Sequence, residues 1–282
     1  MRRAQHTAWK ITCTVALCLF LCLESGKTRA AALPLLIGMY PNYPPLDMRN
    51  PLTNALEGFD IDLGRALLQR MQRDANVVET SFAQLIPSLL TGRIDIFFNG
   101  MMDTPARREN IAFVDYLQAG FQFIILADDA AAPRTLPDLC GKMVAASRLT
   151  SEPTHLLAWS EQHCVQQNRP PVQLFATENS ADTRLQLCEG RVLAVLQDSL
   201  TTPWLLQANH GLFQRLGEPF DFMPLGIGLS KSNNQLNCQL TAALAQVQAN
   251  GTYLALIRKW HLPESSAIPL MPQQAGCYDH AH

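Results

Sequence analysis

"IPSLLTGRIDIFFNGMMDTPARREN", residues 86–110, is the stretch on which the fold turns. A short apolar helix closes at Gly92, a greasy strand runs from Arg93 to Gly100, and Thr104 with Pro105 marks a new helix start. Helix, strand and helix in immediate succession belong to an α/β protein with mostly parallel strands, whose ligands sit beyond the carboxyl ends of those strands. The turn carrying Asn99, Gly100 and Met102 occupies such a position. Gly100 permits close backbone approach, the helix start offers free N–H groups, and Arg107 in its first turns adds a planar fork matched to a carboxylate. The same spacing also fits a plainer reading, in which Arg107 and Arg108 are surface charges in water.

Working outward, the alternation continues in both directions. Upstream, "LPLLIGMY" (33–40) reads as a strand, "PNYPP" (41–45) as a rigid turn, "GFDIDLGRALLQRMQR" (58–73) as a helix and "NVVETSF" (76–82) as a strand. In that helix Leu63, Leu67, Leu68 and Met71 share one face, and Asp60 or Asp62 is placed to cap its start. Downstream of the breaker-rich "DDAAAPRTLPD" (128–138), strands at 141–147, 172–176 and 191–198 alternate with helices at 152–164 and 180–190, a second α/β lobe of similar build. A long strand (220–231) and helices broken at Asn250 and Gly251 follow, then a loosely ordered tail. The strand ends supply Tyr40, Ser81 with Phe82, Asn99 with Gly100, Ser147, and Gln197 with Asp198, which meet in one cleft if the lobes face each other. Asp198 fits two roles there, an acceptor for an ammonium group or an N-cap for the next helix.

Composition bounds the rest. With 48% hydrophobic and 16% charged residues, the 282-residue chain buries a large core and builds more than one lobe. Arg2, Arg3 and Lys10 precede the apolar run "ITCTVALCLFLCL" (11–23), which is shorter than the roughly 20 residues that span a bilayer, so residues 1–32 read as a signal peptide cleaved near Ala30 to Ala32. Bulky Leu17 and Leu21 before Cys18 and Cys22 argue against a lipid anchor. Without that leader, 17 basic residues stand against 23 acidic ones, a formal charge of −6 that excludes ordinary nucleic-acid binding. Of the eight cysteines, Cys13, Cys18 and Cys22 leave with the leader, and an odd number remains without C-x-x-C spacing. Nothing in the chain calls for a cofactor or metal, and the terminal "CYDHAH" lacks structured ligand spacing.

"GMYPNYPP", "GFDIDL", "IPSLLTGRIDIFFNGM", "TPARRENIAFVDY", "LCGKMVAAS", "GRVLAVLQDS" and "ANGTYLALIRKW" stand in the order and spacing of the family 3 extracellular solute-binding proteins. Over residues 33–262 the chain resembles a periplasmic polar amino-acid binding protein of an ABC transporter. The resemblance implies an α/β, two-lobed periplasmic-binding-protein type II fold with a ligand cleft between the lobes. Residues 33–126 plus 222–262 would form lobe 1, 127–221 lobe 2, and 263–282 the C-terminal tail. It implies a monomer that hands an amino acid or related organic acid to a membrane permease.

Carried over residue by residue, Arg107 would grip the ligand carboxylate with backbone around Gly100 and Met102 and the loop of Thr150 and Ser151. Asp198 would take the ammonium, Tyr43 and Phe82 would sandwich the ligand, and Tyr40 would face its side chain. Core packing for Tyr43 and Phe82 and a helix cap for Thr150 are the plainer alternatives. Met102 stands where the family usually places a hydroxyl residue, Leu149 where it places glycine, and Tyr40 where binders of basic amino acids often carry an acid. These departures point to an uncharged or aromatic ligand or an organic acid. The resemblance also implies a Cys140–Cys164 disulfide and, more weakly, Cys238 with Cys277. Two other functions fit the scaffold: a cyclohexadienyl-dehydratase-like enzyme with Glu152 or Asp198 as general acid, and an accessory or sensory module that binds a partner protein.

Overall fold

The computed structural model describes residues 33–269. The expected signal peptide, Cys277 and the "CYDHAH" end lie outside them. Strand β1 (Leu35–Met39) leads to a small antiparallel sheet of β2 (Asn42–Tyr43), β3 (Asp47–Arg49) and β4 (Leu56–Glu57). Then come α1 (Phe59–Met71), β5 (Ala75–Glu79), α2 (Leu85–Leu90), β6 (Ile96–Met102), α3 (Pro105–Arg108) and the long β7 (Ile111–Leu126). The second α/β region holds β8 (Met143–Ser147), α4 (Glu152–His163), β9 (Gln173–Thr177), α5 (Ser180–Cys188), β10 (Ala194–Asp198) and α6 (Thr201–Ala208). The chain returns through β11 (Phe213–Ser230) to α7 (Asn234–Ala249) and α8 (Thr252–Lys259).

The main sheet has eight strands in the order β5-β1-β6-β11-β7-β10-β8-β9. Its two outer blocks are parallel within themselves, β1 with β5 and β6, and β8 with β9 and β10. Between them lies the antiparallel pair of β7 and β11, 16 and 18 residues long. This pair is the crossing between lobes expected near "FIILADD" and "FMPLGIGLSK", but both strands extend much further back than the sequence reading drew them. Their register shifts on either side of Phe220, where Gly217 and Asp221 take positive φ, and the buried Gln122 side chain donates to the Leu216 and Gly217 carbonyls.

Leu63 and Leu67 of α1 are buried in the main core, with Leu68 and Met71 packed partly against it, as the helical spacing predicts. The expected cap differs. Gly58 holds the N-cap at φ 138°, where a Cβ would fall 2.0 Å from the Leu46 carbonyl oxygen. Phe59 therefore opens the helix and turns Asp60 inward, where it accepts from the Tyr116 hydroxyl at 2.9 Å, while Asp62 meets Lys259 Nζ at 2.6 Å. Cys140 and Cys164 form a disulfide with Cα atoms 5.5 Å apart, tying the approach to β8 to the end of α4. The expected tail is fixed over its first residues: Ser266 is buried, and Gln118 donates to the Ser265 carbonyl at 2.7 Å.

Candidate functional site

Every residue named above for ligand contact, Tyr40, Tyr43, Phe82, Asn99, Gly100, Met102, Arg107, Thr150, Ser151 and Asp198, lines one cavity of about 210 Å³. It opens at the carboxyl ends of β1, β6, β8, β9 and β10, where the strand-to-helix turns of both outer blocks converge.

On the β1–β6 side, polar atoms are largely committed to one another. Asn99 accepts from the Tyr40 N–H at 2.6 Å and donates to the Tyr40 carbonyl at 3.2 Å and to Asp47 Oδ2 at 2.9 Å, so it fixes two strand ends together. Gly100 has φ +54°, and its N–H donates to the Tyr116 hydroxyl at 3.0 Å. A Cβ there would meet the Tyr43 ring at 2.3 Å. The glycine thus makes room for Tyr43, and its N–H is not presented to a ligand, a correction to the role expected of it. Behind it Asp47 and Asp60 are fully buried side by side; desolvation raises both, Asp60 to about 7.

Thr104 caps α3, accepting from the Arg107 N–H at 3.3 Å with Pro105 at the first position, as the sequence predicts. With four residues, α3 is a single turn. Its end charge is correspondingly small, so the helix start adds little positive potential beside the Arg107 side chain. Arg107 is half-buried, its Nη1 donates to the Met102 carbonyl at 2.6 Å, and burial lowers its pKa from the ordinary arginine value. Arg108 is exposed, as expected of a solvated charge, and also makes an ion pair. Its Nε donates to the buried Asp103 at 2.6 Å, and Asp115 lies 3.6 Å from Nη2.

The facing side is acidic. Asp198, buried, accepts from Leu200 N and Thr201 N at 2.9 Å and from the Thr201 hydroxyl at 2.8 Å. The carboxylate that holds the start of α6 also lines the cavity. Thr150 likewise caps, accepting from Glu152 N at 3.2 Å and donating to the Ser147 carbonyl at 2.9 Å. Glu152, buried at 4% exposure, accepts from Ser147 N at 3.0 Å; desolvation, with Asp198 nearby, pushes its carboxyl up to about 8. The two sides touch where Ser151 Oγ donates to Met102 Sδ at 2.8 Å. Tyr43 is raised well above the ordinary tyrosine value by burial and by Asp198, which its hydroxyl faces.

The sequence reading missed the wall formed by Glu178, Asn179, Ser180 and Ala181, and missed Asn42; Arg184, outside the lining, lies near enough to Asp198 and Glu152 to feel their charge. Glu178 follows the end of β9, so the strand-end rule that found Asp198 also reaches it. Asn179 caps α5 through Ala181 N and Asp182 N. Among the described residues no cluster of His, Cys, Asp or Glu is arranged to hold a metal, and no helix is long and apolar enough to cross a membrane.

Two α/β lobes joined by a long strand pair, with a cavity at converging strand ends, define a two-lobed ligand-binding protein. Residues 35–263 match the model of the bacterial extracellular solute-binding proteins, family 3, and the chain belongs to that family. It is 29% identical over 261 residues to the histidine-binding periplasmic protein of Salmonella typhimurium, covering 87% of this chain and 95% of that one. An ancestral arginine-binding protein, solved with arginine and with glutamine, superposes with TM-score 0.70 at 26% identity over 80% of this chain and 97% of its own. An ancestral amino-acid-binding protein described as a precursor of cyclohexadienyl dehydratase gives TM-score 0.69 at 27% identity, covering 80% and 95%. The role these relationships establish is that of a solute-binding protein, and the relatives are amino-acid-binding proteins.

Proposed function

We propose that the cavity captures a small amino acid for an ABC importer, with its carboxylate on Arg107, its ammonium on Asp198 and its body between Tyr43 and Phe82. The observation that carries this reading is the placement of a half-buried arginine and a buried aspartate on opposite walls of one amino-acid-sized cavity. Each charge-assisted contact is worth about 1.5–3 kcal/mol. Tyr40, whose hydroxyl accepts from Asn42 at 3.0 Å, brings no charge to the site, and Glu178 is paired with Arg148, so the ligand side chain is uncharged or aromatic.

In this reading residues 33–126 with 222–262 and residues 127–221 close as rigid lobes about β7 and β11. The protein is a monomeric, periplasmic binder that docks on a membrane permease after its leader is removed, and it is not an enzyme. Calorimetry against L-histidine, L-arginine, L-glutamine and L-phenylalanine, on wild type and Arg107→Ala, tests it. Binding that survives the substitution unchanged refutes the carboxylate role.

A second reading is favoured by Glu152. A buried carboxyl that stays protonated at neutral pH inside a cavity suits a general acid for eliminating water and carboxyl from a cyclohexadienyl acid. Turnover of prephenate or arogenate, abolished by Glu152→Gln, would install it in place of the first.

A further inference from the structure

An ammonium group brings three donors, and the acceptors waiting for it can be counted. A carboxylate offers about four lone-pair positions. On Asp198 three are already taken, by Leu200 N, Thr201 N and the Thr201 hydroxyl, and the Tyr43 hydroxyl faces what is left. Asp198 alone therefore leaves most of an ammonium's donors without a partner. The missing acceptors lie on the same wall. Glu152 lines the cavity at the first position of α4, and Ser147 N–H holds its Oε2, which leaves acceptor capacity on the carboxyl. The charged and titratable groups around it are Asp198 at the end of β10, Arg184 on α5 and Tyr43 across the cleft.

We propose that Glu152 is a further ligand-binding residue, which with Asp198 forms a two-carboxyl subsite for a primary ammonium group and releases its proton to solvent as that group enters. The proposal rests on the cleft being the amino-acid site described above, and it narrows the ligand to amines, excluding organic acids without one. The ammonium keeps its three hydrogens, the Glu152 O–H ionises, and the proton passes to buffer, so the new carboxylate offsets the ammonium charge while the ligand carboxylate is met by Arg107, and the occupied cavity ends one unit more negative. Before the ligand enters, burial keeps Glu152 protonated at neutral pH, and the neighbouring Asp198 charge reinforces this. A cation between the two carboxyls reverses the second effect and offsets the first.

The test is calorimetry of the leaderless protein with L-histidine, L-arginine, L-glutamine and L-phenylalanine and with their deaminated acids, at pH 7 and 8, in two buffers of different ionisation enthalpy. Wild type is expected to release most of a proton per ligand at pH 7 and less at pH 8, with affinity rising several-fold between them. The deaminated acids are expected not to bind, and Glu152→Gln, which keeps an acceptor for Ser147, to bind without proton release and without that pH dependence. Binding that requires Arg107 but releases no proton overturns this proposal alone. Failure of all four amino acids to bind overturns both it and the reading beneath it. The wild-type proton count decides the matter even if Glu152→Gln does not fold.

Discussion

On the β1–β6 wall of the cavity the polar groups are bound inward, Asn99 to Tyr40 and Asp47, and the Gly100 N–H to Tyr116. On the β8–β10 wall they hold helix starts, Asp198 for α6 and Thr150 for α4. The first wall is a scaffold that presents an aromatic surface and one cation. The second is a set of acids and hydroxyls whose orientation is set by the helices they cap. Mutations on the first wall should therefore act by deforming the site, and mutations on the second by coupling ligand affinity to helix stability.

The sharpest way to break this contrast is Gly100→Ala. A methyl driven into the Tyr43 ring, at a φ that side chains avoid, is expected to cost about 2–4 kcal/mol of stability and to displace Tyr43 from the cavity. Urea denaturation and ligand titration of the variant check both effects. Removing the disulfide by Cys140→Ser with Cys164→Ser is expected to cost about 3 kcal/mol from a sequence separation of 24, seen in the same denaturation assay, with little change in ligand affinity at fixed folded fraction. Asp198→Asn should weaken ligand binding by about tenfold or more and also lower stability by about 1 kcal/mol through the α6 cap, the double effect that marks the second wall.

A pH series separates the walls differently. Asp60 at about 7 and Glu152 at about 8 lie above the ordinary carboxylate range because of burial, as does Asp115 at about 7. The folded protein thus holds protons that the unfolded chain gives up. Their contribution to stability is fully present below about pH 4 and is lost as pH rises through about 7 to 8. Scanning calorimetry should accordingly give a higher Tm at pH 5.5 than at pH 8.5, and Asp60→Asn should flatten the slope. The smallest expected change is Met102→Ser. Restoring a hydroxyl beside Arg107 and freeing Ser151 from Met102 Sδ should tighten amino-acid binding a few-fold, about 1 kcal/mol, by calorimetry.

Much of this was legible in the chain because strand ends and helix starts have local signatures. Thr104-Pro105, the Leu63–Met71 face and the apolar run into Asp198 each announce an element and its boundary. What was not legible depends on pairs distant in sequence. That Asp60 turns inward rather than capping α1 depends on Tyr116, 56 residues away, and Gly100 owes its identity to Tyr43 as well as to its turn. The length of β7 and β11 escaped because polar residues interrupt their apolar pattern at the register shifts. Arg108 is the solvent charge it was read as, and only its ion pair escaped, because Asp103, five residues earlier, gave no sign of being buried.

The double duty proposed for Asp198, ligand acceptor and holder of α6, bears on how such a protein changes its ligand over generations. A substitution there that favours a new ligand also loosens α6, so most variants at this position are removed before their specificity can be tried. Tyr40 and Met102 hold no helix start. New specificities in this lineage should arise first at the β1–β6 wall, leaving the acid at the end of β10 in place.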